Sequence, residues 1–138
     1  LRERAILSPA QADAVDAAKI ARFFESPLFR ETMRKGRVRR EFKFSILVPA
    51  ALYWPEAKAA PDERVLLQGV IDCLIETDAG FVLLDFKTDR VAADGVAARA
   101  ARYRPQMEAY ALAVNEIFGK PAYQKLLYFL HTGAQCEV

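Results

Sequence analysis

The sequence predicts an α/β domain in which a central mixed β-sheet is flanked by helices, and three observations carry that expectation. Two apolar, β-branched runs, Val65 to Glu76 and Phe81 to Thr88, are separated only by Thr77-Asp78-Ala79-Gly80, the mark of a hairpin. A helical stretch from near Arg104 to Phe118 leads into a further strand-like run, Tyr123 to His131. Upstream, two Ser-Pro pairs announce helices ahead of the first strand.

Taken in order, Ser8-Pro9 supplies a helix start, with Ser8 as cap and Pro9 at the first helical position. Ala12, Val15, Ala18, Ile20 and Phe23/Phe24 then recur at roughly helical spacing up to Ser26. Ser26-Pro27 opens a short second helix that ends at Gly36. From Arg37 to Val48 the apolar residues Val38, Phe42, Phe44 and Ile46 stand between polar neighbours, a strand pattern. The Pro-containing stretch from Pro49 to Arg64 reads as a second short strand plus a loop, with Tyr53 and Trp54 as either a hairpin cap or a partner contact. After the hairpin, alanine-rich Ala92 to Arg102 is a partly helical or mobile connection. Pro105 cannot sit deep in a helix, so a new one begins near Arg104, with Gly119 past its C-terminus. Leu126 to Leu130 form the centre of the closing strand.

At 138 residues, with 53% hydrophobic and 28% charged residues, the chain suits one soluble domain with a core of its own. Residues 1–36 read as a helical lead-in and 37–138 as the core of that single domain. Charges break every apolar run before membrane-spanning length, and no signal pattern opens the chain, so the cytosol is the expected compartment. Cys73 and Cys136 are too few and too far apart for a zinc or iron-sulfur motif, and Cys73 reads as a small buried hydrophobe. The net charge of +2 is small, but Arg34, Lys35, Arg37, Arg39, Arg40 and Lys43 form a local basic stretch, either a solvated face or a surface for phosphate contacts. Phe23, Phe24 and Phe29, at helical spacing, read as core. The opening Leu1-Arg2-Glu3 and the close at Val138 read as a piece of a longer polypeptide.

Two aspartates stand out of place. In the second strand of the hairpin, Leu83, Asp85 and Lys87 share one face while Val82, Leu84 and Phe86 share the other. In the first strand, Asp72 lies between Ile71 and Cys73. If Thr77 pairs with Gly80, Asp72 falls directly across from Asp85, with Cβ atoms about 5 Å apart. Two carboxylates so placed repel and push each other's pKa upward. Either a hard divalent cation bridges them, for which magnesium with its preference for oxygen is suited, or Lys87 neutralises them in a structural charge cluster.

The order Gly69-Val70-Ile71-Asp72, Asp85-Phe86-Lys87-Thr88, then Gln106 and Tyr110 resembles the RecB-like branch of the PD-(D/E)XK nuclease superfamily. Longer segments, Leu67 to Cys73, Leu83 to Val91, Tyr103 to Tyr110 and Leu127 to Gly133, are similar to the C-terminal nuclease domain of AddA-type helicase-nuclease subunits. That resemblance implies a restriction-endonuclease-like fold. Asp72 and Asp85 would ligate Mg2+ or Mn2+, with the backbone carbonyl of Phe86 as a further ligand. Lys87 would orient the attacking water and stabilise charge in the transition state. Gln106 and Tyr110, four apart on one helical face, would be catalytic residues beside the scissile strand, with Gln106 supporting Lys87 or a phosphate. Glu41 matches an acidic position near the metal, or else serves as a surface partner of Arg39 or Lys43. The family's metal-ligating His would precede Leu1, and His131 is structural or peripheral.

The function so implied is a magnesium-dependent deoxyribonuclease: a DNA exonuclease within an ATP-dependent helicase-nuclease that processes double-strand breaks. Single-stranded DNA would arrive from the helicase, the partner would be of the AddB type, and the location would be cytoplasmic and nucleoid-associated. No Gly-x-x-x-x-Gly-Lys-Ser/Thr loop occurs, so no helicase motor lies within these residues. The rival is a non-catalytic DNA-binding or subunit-docking module that retains the fold.

Overall fold

The computed structural model describes residues 8, 10, 15–34, 36–52 and 62–138. Helix α1 (Ala17–Glu25) and a π-helical turn (Phe29–Met33) precede strand β1 (Arg37–Pro49). A 3-10 turn (Ala50–Leu52), strands β2 (Arg64–Thr77) and β3 (Gly80–Lys87), and a second 3-10 turn (Ala93–Gly95) follow. Helices α2 (Val96–Ala101) and α3 (Arg104–Phe118) then lead to strands β4 (Ala122–Phe129) and β5 (Ala134–Glu137). The strands form one sheet in the order β1-β2-β3-β4-β5. All neighbours are antiparallel except β3 and β4, which run parallel and are joined through α2 and α3. The expected mixed sheet flanked by helices is therefore what the chain forms.

Each face of the sheet has its own core. On one, Met107, Tyr110, Ala113 and Val114 of α3 cover Ile71, Leu74, Leu83 and Leu127. Those α3 positions recur every three to four residues, which is why one stripe of the helix is buried. Gly119, at φ +63°, ends it in the left-handed conformation that a side chain resists. On the other face, Phe23 of α1 and Leu28 cover Cys73, Ile75, Val82, Leu84 and Tyr128. Phe23 meets Phe86 and Tyr128 edge-on at 4.9 and 5.0 Å and is core as expected, and Phe29 packs against it partly buried. Phe24, by contrast, is 51% exposed and is not part of the core.

Several local expectations are refined. Ala10 is helical and most of the Ser8-Pro9 start lies outside the described residues; helix α1 itself begins at Ala17, where Asp16 caps it by accepting from the Lys19 N–H. Between Pro49 and Arg64 the described residues hold only the 3-10 turn, and Tyr53 and Trp54 lie outside them. The alanine-rich connection is helical from Val96 to Ala101. The closing strand ends at Phe129, and Gly133, at φ +76°, turns the chain back to lay down β5, a strand not evident in the sequence. The hairpin register Thr77↔Gly80 is the expected one.

The largest departure from simple alternation is at Glu41. It is the one non-glycine residue with positive φ (50°) among the described residues. Arg40 pairs with Cys73 and Phe42 with Ile71, so Glu41 and Asp72 share the position between them, where pairing lapses. Before that point Val38 faces the α1 side, and after it Phe42 and Phe44 face α3. The same change occurs on β2, where Cys73 and Ile75 face α1 but Ile71 faces α3. Both strands slip phase by one residue together, so the register survives. Beyond the slip, the face away from α3 is solvent-exposed, with Leu47 and Leu66 paired there at 60% and 58% exposure.

Candidate active site

The ladder between β2 and β3 runs as far as Cys73↔Leu84. Asp72 and Asp85 occupy the next position, and the backbone rung is replaced by a side-chain bond: Asp72 Oδ2 accepts from the Phe86 N–H at 2.8 Å. Together with Glu41 on β1, three carboxylates thus stand in one row across three adjacent strands. Glu41 itself is exposed, and among the described residues no three acidic, histidine or cysteine side chains converge closely enough to hold a metal alone.

Asp85 and Lys87 are the buried charged residues of the core, at 4% and 9% exposure. Alternation along β3 turns both toward α3, where their charges meet at 2.6 Å between Lys87 Nζ and Asp85 Oδ2. Burial pushes the Asp85 carboxyl above its usual range, the hydrogen bond and charge of Lys87 oppose this, and the charge of Asp72 adds to it. The burial contribution outweighs the short ion pair because the site is shielded from water on the sheet and helix sides.

Lys87 Nζ also donates to Gln106 Oε1 at 2.9 Å, and Gln106 Nε2 donates to Tyr110 Oη at 2.7 Å. This orientation of the amide follows from donor chemistry. An ammonium can only donate, so the Gln106 oxygen must face it and the NH2 must face Tyr110. The Tyr110 hydroxyl, having accepted, keeps its own hydrogen to give. Burial raises the Tyr110 pKa, against the Gln106 bond, and the charges of Asp85 and Asp72 raise it further, so the hydroxyl stays protonated. Gly69 makes room for this ring: a Cβ there would lie 2.8 Å from the Phe44 ring and 3.1 Å from that of Tyr110. The glycine of the Gly69-Val70-Ile71-Asp72 motif is therefore a clearance requirement of the helix above it.

One neighbour of the site was not evident in the sequence. The Tyr103 ring centroid lies 3.8 Å from Lys87 Nζ, and Tyr103 Oη donates to Asp89 Oδ2 at 2.8 Å. The signal available was the place of Tyr103 one turn before Gln106, just ahead of α3.

The remaining site candidates are more dispersed. Arg39 lies 3.6 Å from the Glu76 carboxylate, with its guanidinium 5.4 Å from the Phe118 ring, on the α3 side. Arg40 lines an apolar cavity on the α1 side with Phe23, Phe24 and Phe86. Arg34, Arg37 and Lys43 are exposed, and Lys35 lies outside the described residues. The basic stretch thus wraps the edge of the sheet instead of forming one face. His131 is exposed in the turn after β4, beside Thr88 and Arg90.

The donor set fits a hard divalent cation. One oxygen of each aspartate is committed, Asp72 Oδ2 to the Phe86 N–H and Asp85 Oδ2 to Lys87, which leaves the second oxygen of each for a shared ion. Among the described residues, no sulfur or imidazole joins them in a cluster that would favour a softer metal.

A family model described as the PD-(D/E)XK nuclease superfamily matches residues 2–135. Among curated proteins, an ATP-dependent helicase/nuclease subunit of Moorella thermoacetica is 45% identical over 139 residues, covering 99% of this chain and 10% of that protein. The protein of the same name from Desulforudis audaxviator is 42% identical over 134 residues, covering 97% of this chain and 11% of its own. That from Listeria monocytogenes is 40% identical over 146 residues, covering 100% and 12%. The chain spans about a tenth of the length of the curated relatives it matches.

Proposed function

Because the chain belongs to the PD-(D/E)XK nuclease superfamily, we propose that it hydrolyses DNA phosphodiester bonds with a divalent cation, Mg2+ or Mn2+, held by Asp72, Asp85 and the backbone carbonyl of Phe86. Glu41, in the same row, would stand beside that ion. The observation that carries this reading is the Asp72–Asp85 position, where two carboxylates replace a rung of the sheet next to a buried lysine. The cation would supply Lewis-acid charge at the phosphoryl group and make water more acidic.

The chain's own residues would do the rest. Lys87 orients the attacking water and stabilises the negative charge that grows on phosphorus-bound oxygens as the water oxygen bonds to phosphorus and the bond to the leaving sugar oxygen breaks. Gln106 fixes the direction of the ammonium, and Tyr110 offers its free hydroxyl hydrogen to a phosphate oxygen. Arg34, Lys35, Arg37, Arg39, Arg40 and Lys43 would contact backbone phosphates on either side of the sheet edge, which favours cutting with little base preference.

The relatives are named as helicase/nuclease subunits. By that likeness, residues 1–138 would act as one nuclease domain, with 1–36 a helical lead-in and 37–138 its core. It would receive single-stranded DNA from a helicase and work beside an AddB-type partner in double-strand-break processing, in the cytoplasm at the nucleoid. Among the described residues, no helix is long and apolar enough to cross a membrane.

The test is degradation of labelled single-stranded DNA by the native polypeptide in Mg2+ or in EDTA, alongside Asp85→Asn. Cutting that needs Mg2+ and is lost in the variant supports the proposal. DNA binding without cutting overturns it and favours the docking-module reading, and cutting indifferent to Asp85→Asn overturns the assignment of the reaction to this site.

A further inference from the structure

The geometry points to Tyr103 as a positioning residue for Lys87, its ring steadying the ammonium while leaving a donor free for substrate; this rests on the nuclease reading above.

A lysine side chain is a flexible stem carrying a point charge with three rotatable donors, so it does not by itself hold one direction. Here the ammonium is surrounded on three sides, by Asp85 Oδ2 at 2.6 Å, Gln106 Oε1 at 2.9 Å and the Tyr103 ring centroid at 3.8 Å. The first two partners take hydrogen bonds of fixed direction. The ring attracts the charge through its quadrupole and demands no particular N–H. It can therefore fix the position of Lys87 while surrendering a donor to an arriving phosphate oxygen or water, which a third carboxylate would not do.

Tyr103 is itself held at both ends. Its carbonyl accepts the Met107 N–H at 3.1 Å, in the first turn of α3. Its hydroxyl donates to Asp89, whose other oxygen lies 3.4 Å from Arg99 of α2. Asp89 follows Lys87 by two residues, so the ring bridges the start of α3 to the segment leaving β3. Nothing in the Asp72, Asp85, Lys87, Gln106, Tyr110 set accounts for this bridge.

The experiment compares wild type, Tyr103→Phe and Tyr103→Leu in the native polypeptide, with two readouts. The first is kcat and KM on single-stranded DNA with Mg2+. The second is the NMR signal of the Lys87 CεH2 group in lysine-labelled protein, identified by its loss in Lys87→Met. A methylene beside a ring face is displaced upfield by the ring current, whether or not the protein cuts DNA. We expect a displaced signal in wild type and Tyr103→Phe, and an ordinary one in Tyr103→Leu. Tyr103→Leu should lower kcat by about tenfold with KM changed by less than about twofold, while Tyr103→Phe keeps most of the rate. An undisplaced wild-type signal, a Tyr103→Leu rate equal to wild type, or a Tyr103→Phe as slow as Tyr103→Leu overturns the inference. If wild type does not cut at all, the nuclease reading falls, and the displaced or undisplaced signal still decides whether Tyr103 holds Lys87. That wild-type signal needs no variant to fold.

Discussion

Asp72 Oδ2 accepts the Phe86 N–H at 2.8 Å, so a side chain of β2 completes the hydrogen bonding of β3 at the point where backbone pairing has stopped. Asp72 therefore carries two separable duties, one structural and one electrostatic. Asn keeps an acceptor oxygen for Phe86 but loses the charge. Asp72→Asn is expected to stay folded, with a melting temperature close to wild type, while metal-dependent cutting falls by about a thousandfold, the equivalent of several kcal/mol of charge stabilisation. Thermal melts and single-turnover cleavage on the same preparation check both halves.

Gly69 gives a sterically defined test of the α3 side. An alanine there puts a Cβ against the Phe44 and Tyr110 rings, which already meet edge-on at 5.7 Å. Gly69→Ala is expected to destabilise the fold by about 1–3 kcal/mol through overpacking. Because Phe44 must move against the Tyr110 ring that anchors Gln106, cutting should fall as well, and Phe44→Leu should recover more stability in the Gly69→Ala background than Tyr110→Leu does. A denaturant series on the single and double variants measures the coupling.

Glu41 holds a left-handed backbone that costs a non-glycine residue about 1–2 kcal/mol. Glu41→Gly is therefore expected to be more stable than Glu41→Ala by about 1 kcal/mol. If the strain serves to set the carboxylate row, both substitutions lower cutting to a similar extent despite their different stability. Paired melting and cleavage measurements separate the backbone from the carboxylate.

The raised pKa of Asp85 makes stability depend on pH. Burial holds its proton more tightly in the folded chain than at the usual 3.8 of the unfolded one. The folded state thus binds more protons across that interval, and the associated stability, complete below 3.8, is lost as the pH rises through the folded value. In EDTA, the difference in melting temperature between wild type and Asp85→Asn is expected to grow in favour of the variant as the pH climbs. Mg2+ favours the ionised carboxylate and should shrink that difference near neutrality.

Much of this site was legible because its signals are local. Thr77 and Gly80 fixed a two-residue loop, and that loop fixed the register which brings Asp72 to Asp85. The spacing of Gln106 and Tyr110 put them on one side of α3, where they now bond to one another. The phase slip was invisible for a specific reason. Val38 and Phe42 have the same parity in sequence yet face opposite cores, and with apolar residues wanted on both sides the pattern looks unbroken. β5 was too short to read, since Ala134 and Cys136 are its only apolar positions. Tyr103 could not be assigned to Lys87 because the two meet only once the crossover between β3 and β4 closes.

The matched slip at Glu41 and Asp72 also bears on how this domain tolerates gain or loss of codons. Removing residue 41 alone would let Phe42 follow Arg40 in simple alternation while β2 keeps its own slip at Asp72, so every later side chain of β1 would be out of step with its partner on β2. Lineages that lengthen or shorten this ribbon should do so by compensated events, one on each strand, which keep the rungs opposite each other.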